Sequence, residues 1–192
     1  MKSTMYNTKI KNQIRVSEKM ILTIILALVS NVFFAQSAFD KFDGQDGVTS
    51  IIVNKKMFQM MGSVKVDAND KETQQYLNLI RKLDNLKVFT TSSDKFSADM
   101  KLSAEKYIKS AGLEELMRVN DNGKYVRIMV KSGTNNSQVK ELLMFIEDGT
   151  KQNETVLMSL TGDFDLNEIS ILTDKMKIPG AADLKKATKG RK

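Results

Sequence analysis

The chain has 192 residues, with one proline and no cysteine, histidine or tryptophan. The absence of cysteine excludes disulfides, thiolate nucleophiles and cysteine zinc sites, and the absence of histidine excludes Ser-His-Asp catalysis and histidine metal sites. The net charge of +7 lies at the two ends, because residues 1–35 and 183–192 each carry five basic side chains against one acidic side chain. The near-neutral middle disfavours nucleic-acid binding, which needs positive charge on the folded surface.

The first 35 residues are typical of an export signal. Met20–Val29 is an apolar run that continues with few interruptions to Ala35, and basic side chains precede it. Small or polar residues follow, as in a secretory signal peptide. We expect cleavage between Ala35 and Gln36, with cleavage after Ser37 as the alternative. An uncleaved membrane anchor and a buried core helix are the competing interpretations, although a transmembrane helix needs about 20 apolar residues.

A polar, glycine-punctuated lead-in, residues 36–47, is expected to be flexible and precedes a domain predicted over residues 48–176. The first half of this domain predicts a strand, two helices, a second strand and a long helix. They lie at Val48–Val53, Lys55–Met61, Glu72–Asp84, Leu86–Thr91 and Asp94–Ala111. Runs rich in β-branched residues indicate the strands, and apolar residues at helical spacing indicate the helices. Gly112 is placed to end the long helix.

Four strands separated by turn residues follow. They are predicted at Leu113–Val119, Lys124–Lys131, Gln138–Glu147 and Glu154–Thr161. Asparagine, aspartate and glycine lie between them at hairpin spacing. A final helix is predicted to begin at Asp165, whose carboxylate forms a capping box with Glu168. Its apolar stripe consists of Leu166, Ile169, Leu172 and Met176, and residues 177–192 are expected to form a flexible basic tail.

The element order β-α-α-β-α-β-β-β-β-α predicts an α+β fold with a largely antiparallel sheet of about five to six strands. In Lys124–Lys131, apolar residues such as Ile128 alternate with polar residues such as Arg127. This alternation is typical of a sheet with one packed face and one more polar face. We therefore expect the helices to cover one face of the sheet.

Two groups of side chains raise the question of a metal site. Met57, Met60 and Met61 share one side of a predicted helix, and thioethers are ligands for Cu(I), but methionine is more often a flexible core residue. Asp40, Asp43 and Asp46 surround glycines, as in calcium loops. Their spacing does not match an EF-hand, so an acidic lead-in is the favoured interpretation.

Two further groups are charged. Asp163, Asp165 and Glu168 could provide a carboxylate pair for acid–base chemistry, but helix capping accounts for Asp165 and Glu168. Lys185–Lys192 could contact anionic lipid or polysaccharide, although a solvated tail is more usual. The sequence contains no phosphate-binding loop, dinucleotide-binding or nucleophile-elbow pattern. We assign no catalytic, metal-binding or cofactor-binding residue and expect no cofactor.

Three stretches, Ile51–Met61, Leu142–Gly149 and Leu160–Ser170, together with the helix between the first two, resemble one family. It is the uncharacterised family catalogued as domain of unknown function 4252, whose members are small exported proteins of Gram-negative bacteria. The resemblance covers roughly residues 40–176. It implies an exported protein, and the position of some members beside sigma-factor genes implies a role in envelope signalling. It implies no catalytic residue.

These features lead to one main hypothesis and two alternatives. The main hypothesis is a non-enzymatic periplasmic, secreted or cell-envelope protein that binds a protein or an amphiphile through a sheet face or edge. Membrane contact is then expected only through the signal peptide or the basic tail. The alternatives are a regulatory partner in a sigma-factor-linked envelope-stress circuit and a hydrolase. A hydrolase would need Asp163 and Asp165 in one concave pocket, with one pKa raised.

Overall fold

The computed structural model describes residues 38–67, 69–135, 137–150, 153–169 and 182–183. The chain divides into two units, Met1–Asp40 and Lys41–Lys192, and the second contains the strands and α-helices named here. They are β1 (Val48–Asn54), α1 (Lys55–Gly62), α2 (Lys71–Arg81), β2 (Leu83–Thr91), α3 (Asp94–Ala111), β3 (Glu114–Asp121), β4 (Lys124–Ser132), β5 (Gln138–Asp148) and β6 (Glu154–Asp165). Short 3-10 turns lie at Asp40–Phe42 and Leu166–Glu168.

The six strands form one antiparallel sheet in the order β1-β2-β6-β5-β4-β3. Hairpins join β3 to β4, β4 to β5 and β5 to β6. Between β3 and β4, Asn122 and Gly123 both have positive φ, 47° and 84°, which is the backbone that a two-residue hairpin turn requires. The predicted α+β class and antiparallel sheet are therefore confirmed, and the strand order places β1 and β3 at the edges.

The helices lie on both faces of the sheet, so the expectation that they cover one face is wrong. Leu142 and Met144 of β5 belong to a core cluster that includes Phe58 of α1 and residues of α2. By contrast, Tyr107 of α3 donates a hydrogen bond to Glu141 of β5. Because alternate residues of a strand point to opposite faces, α1 and α2 cover one face and α3 covers the other. We call these the α1/α2 face and the α3 face.

The expectation of one packed face was wrong because it was drawn from the alternation in β4, which does not represent the central strands. β4 alternates in polarity because it is one strand from an edge. The central strands do not alternate, since all five residues of β5 from Leu142 to Ile146 are buried. A nearly continuous apolar run is typical of a strand covered on both sides.

The ends of two elements and the start of the domain differ from prediction. α2 ends at Arg81, and Leu83 already pairs with Gly162 of β6. The sequence does not predict this end, because Leu83 continues the helical spacing and gives no local stop signal. β6 continues beyond Thr161 to Asp165. The domain also begins before Val48, because Phe42 of the predicted lead-in is buried with its ring 5.8 Å from that of Phe89.

Other boundaries agree closely with the predicted ones. α3 spans Asp94–Ala111, and Gly112 ends it with φ of 66°, the left-handed conformation that glycine adopts readily. The capping box of Asp165 and Glu168 is confirmed, although the structure describes only a 3-10 turn after it. Leu172 and Met176 of the predicted final helix lie outside the described residues.

Burial of the α3 face predicts the stability of two leucine variants. Leu143 is fully buried on the α3 face, whereas Leu102 of α3 is 65% exposed. We expect Leu143→Ala to lower the free energy of unfolding by about 2–5 kcal/mol through lost contacts and a residual cavity. The matched variant Leu102→Ala should change it by less than about 0.5 kcal/mol. Urea unfolding measures both values, and equal effects would contradict a second packed face.

Candidate functional site

The exposed apolar side chains are concentrated in one segment of the chain. Of the six large hydrophobic residues exposed in the described part, five lie between Ile51 and Val64, and the sixth is Leu102 of α3. The five are Ile51 and Ile52 of β1, Met57 and Met60 of α1, and Val64 just after α1. We call this exposed surface the β1–α1 surface. Exposed apolar side chains concentrated in this way are typical of interaction sites.

The amphipathic pattern of α1 accounts for the methionine part of this surface. Phe58 is fully buried, and Met61 is partly buried against the core. At about 100° per residue, Met57 and Met60 extend the apolar arc of α1 beyond the part that packs on the sheet. They are 51% and 61% exposed. The core interpretation therefore holds for Met61 and is wrong for Met57 and Met60.

The edge strand β1 lacks the usual protection of a sheet edge. It carries no charged residue and no proline, and it pairs with β2 without a bulge. Natural edge strands are commonly protected by charged side chains, proline or bulges, because their unpaired N–H and C=O groups can pair with another chain. Within the described residues, β1 is hydrogen-bonded to β2 alone. No other described strand occupies its outer edge, where an additional strand can pair.

The opposite edge, β3, is protected. It carries four charged residues and has a register shift between Glu115 and Met117. Glu115 forms ion pairs with Arg118 and Arg127 at 2.6 and 3.1 Å. A bulged, charged strand is a poor template for further pairing. The two edges of the sheet therefore differ in their capacity to bind another strand.

The β1–α1 surface is bordered by positive charge. Residues 51–66 contain Lys55, Lys56 and Lys65 and no acidic residue. Lys55 forms an exposed ion pair with Asp84 at 2.7 Å. Next to Val64 lies a cleft of about 440 Å³, whose wall includes Leu77 and Arg81 of α2. The Arg81 guanidinium is held by a 2.8 Å hydrogen bond to the Gly62 carbonyl, which ties α2 to the end of α1.

A buried carboxylate lies on the α3 face. Tyr107 Oη donates a 2.8 Å hydrogen bond to Glu141 Oε2, and Ser159 Oγ donates a 3.4 Å hydrogen bond to Oε1. Burial raises the pKa of Glu141, whereas the bond from Tyr107 and the charge of Lys131 oppose the rise. Burial and the adjacent Glu141 also raise the pKa of Tyr107, so its hydroxyl donates across the physiological pH range. This pair joins α3 to β5.

A second cleft, of about 400 Å³, lies beside the start of α3 and includes Ser97, Tyr125 and Thr155. Several of its polar side chains make structural contacts. Ser97 and Thr155 hydroxyls lie 2.6 Å apart, and Glu147 of the cleft forms a 2.7 Å ion pair with Lys101, whose ammonium lies over the Tyr125 ring. The hydrogen bond to Glu147 raises the pKa of Lys101. These contacts attach the first half of α3 to the sheet.

The three carboxylates considered for acid–base chemistry have structural partners. Asp163 forms a 2.7 Å ion pair with Lys140 and is exposed. Asp165 caps the turn that follows β6. Although burial alone would raise the pKa of Asp165, hydrogen bonds from Ser137 and Asn167 lower it. A lowered pKa does not suit a general acid at neutral pH, so the geometry gives the hydrolase hypothesis no support.

The acidic residues near the start of the domain do not form a calcium loop. Asp40 begins a 3-10 turn, and Asp43 accepts a 2.5 Å hydrogen bond from Ser50 Oγ of β1. Asp46 lies in the turn that precedes β1, where Val48 N–H bonds to the Gln45 carbonyl at 3.0 Å. No group of three or more acidic residues that could hold a metal ion occurs in the part of the chain that the structure describes.

Two predicted sites lie outside the described residues. These are the Ala35–Gln36 cleavage site and Lys185–Lys192. No helix among the described residues is both long and apolar enough to cross a membrane. Sequence reasoning also missed two features, the open β1 edge and the buried Glu141. The sequence signal for the first was the absence of charged residues from β1, and the signal for the second was the single glutamate directly before the apolar run of β5.

The raised pKa of Glu141 predicts a pH dependence of stability. The native state holds the Glu141 proton to a higher pH than the unfolded chain, whose ordinary value is 4.5. The contribution of Glu141 to stability is therefore complete below about pH 4.5 and declines as the pH rises through the raised pKa. Relative to Glu141→Gln, the wild-type protein should lose stability over this range, by at most about 1.4 kcal/mol per pH unit.

Urea unfolding between pH 4 and 8 measures this difference. Glu105→Gln is the matched control, because Glu105 lies on the exposed side of α3. Its stability should run parallel to that of the wild-type protein. A constant difference between wild type and Glu141→Gln across this range would contradict burial of an ionisable carboxylate at this position.

Comparisons with known proteins identify the family. The family model described as "Domain of unknown function (DUF4252)" matches residues 42–172. No curated protein and no solved structure matches the chain significantly. The matched range begins at the buried Phe42 and extends beyond β6. The chain therefore belongs to the DUF4252 family.

Proposed function

We propose that this chain is an exported, non-enzymatic interaction protein of the cell envelope, and that the β1–α1 surface binds its partner. The observation that carries the proposal is the concentration of exposed apolar side chains on β1 and α1, beside an unprotected sheet edge. Burying such side chains on binding gains about 25 cal/mol per Å² of apolar area before the costs of association.

The surface combines two modes of recognition. The open edge of β1 offers backbone hydrogen bonds to an extended segment, which is the basis of binding by strand addition. Met57 and Met60 on α1 offer flexible apolar contacts, and methionine is common at binding surfaces because it adapts to its partner. Lys56 and Lys65 border these residues and favour a partner that carries negative charge near its apolar part.

Export is supported by the sequence of residues 1–35. A basic segment, an apolar run and small residues follow one another there, as in a secretory signal peptide. The absence of cysteine is compatible with an oxidising compartment, since no thiol is available for oxidation.

Cell fractionation with intact-mass measurement tests export. We expect the native protein in the periplasmic or extracellular fraction, with a mass that corresponds to a chain beginning at Gln36. The reason is that a signal peptidase cleaves at small residues after the apolar run and so removes residues 1–35. A full-length mass in the cytosol would contradict the proposal.

Site-specific photo-cross-linking in the native host tests the binding surface. A photoreactive residue is placed at Met60, and the matched control is placed at Leu102, which is equally exposed but lies on α3. We expect one defined cross-linked adduct from Met60 and none from Leu102, because only the first belongs to the β1–α1 surface. Equal labelling at both positions, or no adduct at Met60, would contradict this role.

A further inference from the structure

We propose that two copies of this chain pair through their β1 strands, antiparallel and edge to edge, to form one continuous sheet across a two-fold axis. The inference rests on the proposed function, because it names the occupant of the β1 part of the β1–α1 surface. The occupant is a second copy of the same chain. Isologous pairing of this kind is the commonest symmetry of homo-oligomers.

The composition of β1 allows it to pair with itself. Antiparallel pairing over its full length, Val48–Asn54, places Ile51 opposite Ile51 of the second copy. No charged residue lies within the strand, so no like charges meet. Ile51 and Ile52 are both exposed and lie on opposite faces of the sheet, so each face of the seam gains apolar contacts.

The charges at the two ends of β1 provide the complementarity. Asp43 and Asp46 lie before the strand, and Lys55 and Lys56 follow it. In the antiparallel register centred on Ile51, the acidic end of one copy meets the basic end of the other. Asp46 then lies nearest Lys56 of the second copy, and the two-fold axis forms this contact twice. Parallel pairing would instead bring like charges together.

The fold holds the acidic end of β1 in place for such contacts. Asp43 accepts the hydrogen bond from Ser50 Oγ, so the acidic segment stays beside the strand. Asp46 and Lys56 are both exposed. Because the two-fold axis is perpendicular to the sheet, α1 and its copy lie on the same face of the joined sheet. Met57 and Met60 can then add apolar area, which a stable interface of about 1,200–2,000 Å² requires beyond the strand pair.

Sedimentation equilibrium of the purified full chain tests the oligomeric state. We expect twice the mass of one chain for the wild-type protein. Ile52→Lys should abolish this dimer, because it places two lysine side chains, one from each copy, close together near the centre of the seam, where their like charges repel. Leu102→Lys, which adds the same charge on α3, should leave the dimer intact. A wild-type monomer, or a dimer that Ile52→Lys does not weaken, would overturn the inference.

Charge reversal tests the register. Asp46→Lys and Lys56→Asp, made singly, should each raise the dimer dissociation constant, because each creates a like-charge contact across the seam. The double variant should recover the wild-type constant, since residue 46 again faces a residue 56 of opposite charge. Failure of the double variant to recover would overturn the antiparallel register, provided that its unfolding midpoint matches that of the wild-type protein.

A single introduced cysteine gives an independent result, because the chain has no cysteine of its own. Under mild oxidation, Ile51→Cys should form a disulfide-linked dimer in high yield, and Leu102→Cys should not. This outcome separates the inference from the proposed function. If Ile51→Cys stays monomeric while Met60 still cross-links to another protein, the self-pairing is wrong and the binding surface stands. If neither forms an adduct, both are wrong.

Discussion

The fold depends on the burial of β5 and β6 from both sides. The two strands pair over their length, with Met144 opposite Met158 on the α1/α2 face and Phe145 opposite Leu157 on the α3 face. Each of these side chains is almost fully removed from water, which contributes about 1.5–3 kcal/mol per residue before the cost of ordering the chain. The two helical layers are needed because either one alone would leave half of this apolar surface exposed.

Burial of β5 from both sides also removes a carboxylate from water. Glu141 lies in the same central strand and is removed from water with its neighbours. Its carboxylate is accommodated because α3 supplies the Tyr107 hydroxyl and β6 supplies that of Ser159. A buried polar group without partners would cost about 1–3 kcal/mol, so these hydrogen bonds limit a penalty and also fix α3 over β5. The α3 face is thus held by a specific contact as well as by apolar packing.

Burial decreases from the centre of the sheet to its edges, and the edges differ in kind. β3 ends the sheet with charged side chains and a bulge, which protect it. β1 ends it with an uncharged strand and continues directly into the methionine-bearing helix α1. The β1–α1 surface therefore arises from the topology. β2 pairs with β6 and leaves β1 outermost, with α1 beside it.

Local signals predicted most elements, whereas contacts between distant residues decided the rest. Both ends of α3 were predictable to the residue, because the apolar spacing lies within the helix and Gly112, which ends it, follows directly. The end of α2 was not, because Leu83 satisfies the helical spacing and yet pairs with Gly162 of β6. The capping of Asp165 was readable, since its partner is three positions away. The exposure of Met57 and Met60 was not, because helical periodicity identifies an apolar arc without showing how much of it is covered.

The sequence by itself determined the types and order of the elements from β1 to β6, the antiparallel α+β class and the exclusion of cysteine and histidine chemistry, since these follow from composition and short-range periodicity. Only the tertiary structure decided which strands lie at the edges, which face α3 covers and which carboxylate is buried. Tyr107 and Glu141 are 34 positions apart, and Leu83 and Gly162 are farther apart still. Burial is a property of the packed chain, so a residue's neighbours in space, rather than in sequence, determine it.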